Sequence, residues 1–267
     1  MNRKFKLPIS IFLCFLILFQ SIVAYPKGKN SDKKIVVCIG DSITRANVSY
    51  SYIKLLEKSL GSKFKFYNKG VNGDLAWNVV QRINEIIALN PDYITIMIGS
   101  NDVLSTFSEK KTKTYIKYKK LPQAANKDWY IENLKLIITI LKAKTKAKIA
   151  LISIPLITED KEHIMFKRSI ECSENIKNTA SEFGLTYLAL NEKQQKFYEG
   201  NETKTRVVFS DKNSFSVNIV LKHYLLCRKW DKLSKKYGLQ LTTDLVHLNS
   251  RGAKMISDLI EAFLKEN

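Results

Sequence analysis

A chain of 267 residues, 45% of them hydrophobic, can bury one sizeable core, which excludes a disordered or fibrous polymer. No internal repeat at solenoid or propeller periods is present. The 44 Lys and Arg against 25 Asp and Glu give a net charge of +19, but the excess is lysine spread along the chain, so no nucleic-acid partner is expected.

Arg3, Lys4 and Lys6 precede an uncharged stretch, residues 7–24, that closes on Ala24. A basic start, an apolar run and a small residue predict an export signal over 1–24, with an uncleaved membrane anchor as the alternative. Residues 25–33 read as a polar linker, and residues 34–267 as a single domain. The expected destination is therefore the periplasm, the cell envelope or the medium. Taking three basic and no acidic residues from +19 leaves +16 for the exported chain. Cys38 lies in an apolar run and reads as a small buried hydrophobe. Cys172 and Cys227 have the option of pairing in an oxidising compartment. No CxxC or HExxH spacing supports a metal site.

Strand and helix signals then alternate. KIVVCI (34–39) is nearly all apolar and reads as a buried parallel strand. A helix follows, with Ile53, Leu56 and Leu60 on one face and Gly61 as its stop. KFKFYN (63–68) alternates as a strand, and residues 74–91 read as one helix ending before Pro91. YITIMI (93–98) is a third strand. The lysine-rich stretch 110–120 carries Lys110, Lys111, Lys113, Lys117, Lys119 and Lys120, and reads as a solvated basic loop able to touch an anionic membrane or polymer. Residues 128–145 form a long amphipathic helix, and 147–154 a fourth strand. A helix over about 162–183 leads to a fifth strand at 185–190. Helices near 216–237 and 251–265 complete the chain. Five strand–helix units imply a parallel sheet with helices on both faces, with ligands beyond the carboxyl ends of the strands.

Gly40-Asp41-Ser42 falls just past the first strand, at that edge. A serine hydroxyl needs a base to act as a nucleophile. Of the three histidines, His163 is placed to open a surface helix and His223 lies mid-helix. His247 stands three residues after Asp244, so a short turn can bring the carboxylate to Nδ1–H and leave Nε2 for a hydroxyl. Asn249 or Ser250 would cap the helix that follows. Two more turns after strands offer donors for a developing oxyanion. Gly70 and Gly73 in NKGVNGD (68–74) permit close backbone approach, and Gly73 precedes a helix. Asn101 in IGSND (98–102) carries an amide. Each of these motifs taken singly has an ordinary reading as a turn; a serine, a glycine-rich turn and an amide after three consecutive strands are less easily dismissed together, and with Asp244 and His247 they would suit acyl transfer.

In IGDSIT (39–44), NKGVNGD (68–74), IGSND (98–102) and DLVHLNSRG (244–252), in this order, the chain resembles the SGNH hydrolase superfamily of GDSL-type lipases and esterases. The resemblance implies a flavodoxin-like three-layer α/β/α sandwich around a central parallel five-stranded sheet. It implies Ser42 as nucleophile, His247 as base, Asp244 orienting it, and an oxyanion hole from the N–H groups of Ser42 and Gly73 and the amide of Asn101. The expected reaction is hydrolysis of a carboxylic ester of a lipid, a small acyl ester or an acylated carbohydrate, without a cofactor. The alternatives are an O-acyltransferase using the same residues and a non-catalytic protein binding membranes or polyanions. The residue after Ser42 is Ile43, not the leucine that gives the family its name. The segments 109–127 and 191–243 are expected to overhang the site and set the substrate.

Overall fold

The computed structural model describes residues 33–201, 205–211 and 214–266. The expected signal over 1–24, and all of the linker except Lys33, lie outside the described residues.

The order begins β1 (Lys34–Gly40), α1 (Ser42–Arg45), α2 (Tyr52–Leu60), β2 (Phe64–Gly70), α3 (Ala76–Gln81), α4 (Asn84–Ile87) and β3 (Tyr93–Met97). It continues with α5 (Ser100–Ser105), α6 (Glu109–Lys119), α7 (Lys127–Lys144), β4 (Lys148–Ile152), α8 (Ile164–Glu182) and β5 (Thr186–Leu188). The last helices are α9 (Leu190–Glu199), α10 (Ser214–Tyr224), α11 (Trp230–Lys236) and α12 (Ser250–Glu266). The five strands form one parallel sheet in the order β2-β1-β3-β4-β5.

Alternation along the strands explains the three layers, because successive side chains point to opposite faces. Val37, Ile39, Ile94, Ile96, Ile149 and Leu151 join the apolar sides of α3, α4, α7 and α8. Val36, Cys38, Tyr93, Met97, Ala150 and Ile152 join α2 and α12 on the other face. Both faces are covered, which is why the strands read as continuous apolar runs. The chain runs from β1 to β2 on one side, then crosses to β3 on the other. The crevice for a ligand therefore opens past the carboxyl ends of β1 and β3.

Three expected elements differ. The helix over 74–91 divides at Arg82 and Ile83, where the Arg82 side chain turns inward to the carbonyls of Gly40 and Lys69. The helix over 216–237 divides into α10 and α11 at a turn in which Cys227 has a positive φ of 50°. The lysine-rich stretch is not a loop. It is helix α6, opened by Ser108, whose hydroxyl accepts from Lys111 N. Cys172 is buried in α8 and Cys227 is exposed, and both are free thiols.

Candidate active site

β1 stops at Gly40, and the next residue caps a helix. Asp41 Oδ1 accepts from Ile43 N at 2.9 Å, capping α1 and presenting Ser42 as its first residue. Gly70, at the matching end of β2, is glycine because a Cβ there would strike the backbone of Asp41, Thr44 and Arg45. Its close approach is thus to α1, and the expectation that it approaches a ligand is corrected.

Ser42 Oγ lies 2.9 Å from Nε2 of His247. On the other side of the ring, Nδ1 is 2.8 Å from Asp244 Oδ2 and 3.1 Å from Oδ1. The carboxylate accepts a hydrogen bond from Nδ1–H, which leaves Nε2 as the acceptor facing the hydroxyl. The turn between acid and base is held by the acid itself, whose Oδ1 also accepts from His247 N at 2.8 Å and Val246 N at 3.2 Å. Leu245, inside this turn, has φ of 79°, an unfavourable region for a branched side chain, and its carbonyl is anchored by Thr158 N at 2.7 Å. Asn249 Oδ1 accepts from Arg251 N and Gly252 N, so α12 begins at Ser250, three residues after the histidine.

Burial alone would lower the His247 pKa, but the Asp244 charge and its hydrogen bonds, with a contribution from Asp41, raise it above 6.5. Asp244 is fully buried, which opposes its ionisation. The His247 charge and hydrogen bonds overcome this and hold its pKa below the ordinary carboxylate value. At Asp41 and Asp102 burial prevails: it pushes Asp41 up to about 6 against the hydrogen bond from Ile43 N and the His247 charge, and Asp102 up to about 7 against the hydrogen bond from Ala76 N.

The donor turns meet at the same edge. Gly73 has φ of 74°, so the glycine there serves the backbone conformation; a Cβ would meet only the Lys119 side chain. Asn101 is buried in the first turn of α5, and its Nδ2 donates to Asp74 O at 3.0 Å and to Asp41 Oδ2 at 3.3 Å. Among the described residues, the N–H groups of Ser42 and Gly73 have no hydrogen-bond acceptor.

Four supporting residues were not legible from motifs. Tyr115 of α6 donates to Asn101 Oδ1 at 2.7 Å. Lys119 of the same helix reaches Asn72 O at 3.0 Å and Asp74 Oδ1 at 2.7 Å. Arg82 Nε meets the other Asp74 oxygen at 2.8 Å. Buried Glu159 accepts from Gln240 N, Leu241 N, Thr242 N and the Thr242 hydroxyl, all within 3.0 Å, and so ties down the segment leading to Asp244. A signal for α6 was present: the less exposed positions Thr112, Tyr115, Ile116 and Lys119 recur at helical spacing, masked by the lysines between them. His163 caps α8 through Nδ1, and His223 stacks on Trp230, so neither approaches Ser42.

Comparison with known proteins bears on this arrangement. A family model described as the GDSL-like Lipase/Acylhydrolase family matches residues 38–255. Among solved structures, the acetylxylan esterase Axe2 from Geobacillus stearothermophilus is similar with a TM-score of 0.59 at 18% identity, over 87% of this chain and 95% of that one. LAE5, an alpha/beta hydrolase from the metagenome of Lake Arreo, gives 0.59 at 18% identity, over 86% and 94%. Solved catalytic mutants of Axe2 replace one serine, one aspartate and one histidine, the last two three positions apart. No curated protein matches.

Proposed function

The chain belongs to the GDSL-like lipase/acylhydrolase family and is a carboxylic ester hydrolase, and on that premise we propose that it works through Ser42, His247 and Asp244. The observation that carries this reading is the unbroken hydrogen-bonded line from Ser42 Oγ through both ring nitrogens of His247 to Asp244. The three-residue spacing of Asp244 and His247 also matches that of the mutated aspartate and histidine in Axe2.

Ser42 Oγ attacks the ester carbonyl as its proton passes to His247 Nε2. The imidazolium is stabilised by the Asp244 carboxylate. The tetrahedral oxyanion takes the N–H groups of Ser42 and Gly73 and the Asn101 amide hydrogen that otherwise rests on the long 3.3 Å contact to Asp41. His247 then protonates the departing alcohol, and water repeats the sequence on the acyl-enzyme. The exported location expected from residues 1–24 remains part of the proposal.

Ser42→Ala should lower turnover of a chromogenic short-chain ester by several orders of magnitude with the fold intact. Full activity in that variant would overturn the assignment. Mass spectrometry of products formed with added alcohols and glycans separates hydrolysis from acyl transfer.

A further inference from the structure

We propose that the outward face of α10 docks the protein on an anionic lipid bilayer, so that Ser42 meets esters held at that surface; the second half of this statement rests on the hydrolase reading. Among the described residues, eleven large hydrophobic side chains are exposed, and five of them fall within ten consecutive positions: Val217, Leu221, Tyr224, Leu225 and Leu226. Their exposures run from 49 to 73%. The inner face of the helix is already occupied, since Ile219 and Phe215 pack with Trp230, Leu233 and Tyr237. A surface helix normally turns a polar face outward, so an apolar patch on the outside calls for a partner.

The charge around the patch points to what that partner is. Arg228, Lys229, Lys232, Lys235 and Lys236 are exposed directly after it, with Asp231 the one acidic residue between Ser214 and Gly238. Apolar side chains rimmed by cations suit a helix lying in the headgroup region of anionic lipid. A second copy would bring two such cationic rims together. A glycan would find no donor or acceptor on Leu221, Leu225 and Leu226. The helix, about 16 Å long, is too short to cross a bilayer, and among the described residues none is long and apolar enough to do so.

The patch is also coupled to the site. Ser216 hydrogen-bonds to Asp244, and Tyr224 Oη donates to Asn47 O at 2.6 Å in the loop after α1. Both ends of α10 thus rest on the segments that carry the acid and the nucleophile.

The test uses the chain beginning at Tyr25, which lacks the apolar stretch 7–24 and keeps every strand and both buried face clusters. Sedimentation with phosphatidylcholine vesicles, with and without phosphatidylglycerol, measures binding. The wild type should bind only the anionic vesicles. Leu221→Ser/Leu225→Ser/Leu226→Ser and, separately, Arg228→Gln/Lys229→Gln/Lys232→Gln should each weaken binding about tenfold or more while cleaving a soluble ester normally. Lys110→Gln/Lys113→Gln/Lys117→Gln, which removes equal charge from α6, should bind as wild type. Unchanged binding by the leucine variant, equal loss in the α6 variant, or a wild-type dimer that the leucine variant abolishes would overturn the proposal. Vesicle binding by a protein that cleaves no ester would instead refute the hydrolase reading and leave the docking surface standing.

Discussion

The hydroxyl of Tyr115 donates to Oδ1 of Asn101 across 2.7 Å. An amide has a donor end and an acceptor end, and this bond occupies the acceptor end. Nδ2 is thereby directed toward Asp74 O and Asp41, where the oxyanion is proposed to form.

Tyr115→Phe should lower kcat about fivefold with KM little changed, the value of one neutral hydrogen bond. Asn101→Ala should cost about 100-fold or more. If the tyrosine acts through the amide, the double variant will be no worse than Asn101→Ala. Additive losses in that cycle would assign Tyr115 another role.

Lys119 is the lysine of α6 that holds the glycine turn. Lys119→Met should lower both kcat and stability in urea unfolding, because Asp74 is buried and loses one of its two cations. The cost should stay below the ~3–5 kcal/mol of a fully broken buried pair, since Arg82 remains. Lys113 pairs with exposed Glu109 at the surface, so Lys113→Met should fall within about 0.5 kcal/mol of wild type. Equal effects at the two positions would contradict the pinning of Gly73 by Lys119.

A proton on His247 would block the action as a base proposed for it. Since Asp244 and its hydrogen bonds outweigh burial and raise the histidine pKa, kcat/KM should climb with pH through an apparent value above 6.5. Asp244→Asn removes the larger of the two charges that oppose burial and leaves only the smaller contribution of Asp41, so that value should fall while kcat falls roughly 10³–10⁴-fold. Folded His247 holds its proton more tightly than the unfolded chain does. Its contribution to stability is therefore complete below the unfolded value and is lost as pH rises through the folded one. Activity profiles and thermal melts across pH 5–9 check both signs.

Glu159→Gln should loosen the approach to Asp244. A carboxylate serves four donors on residues 240–242, whereas an amide turns its NH2 toward some of them. Leaving such donors unmet costs roughly 1–3 kcal/mol each when buried. A lower Tm together with a lower kcat is expected, and an unchanged kcat would show that the segment holds its shape without this anchor.

Local chemistry was enough to determine the strands, the buried faces and the short motifs. Each depends on near neighbours: the apolar runs of β1 and β3, the cap at Asp41, and the Asp244–His247 spacing that lets one turn join acid to base. Chain order also put Ser42, Gly73 and Asn101 at one sheet edge, because right-handed crossovers return every strand in the same direction. Tertiary structure alone decided what supports them. Tyr115 lies 14 residues from Asn101, Lys119 lies 45 from Asp74, and Glu159 lies 83 from Thr242. Pairings at such separations follow from how helices and loops pack over the sheet, and no local periodicity encodes them. That is why a stretch read as a solvated loop is instead a helix with one face against the site, and why the apolar side of α10 emerged only once its inner face was seen to be filled.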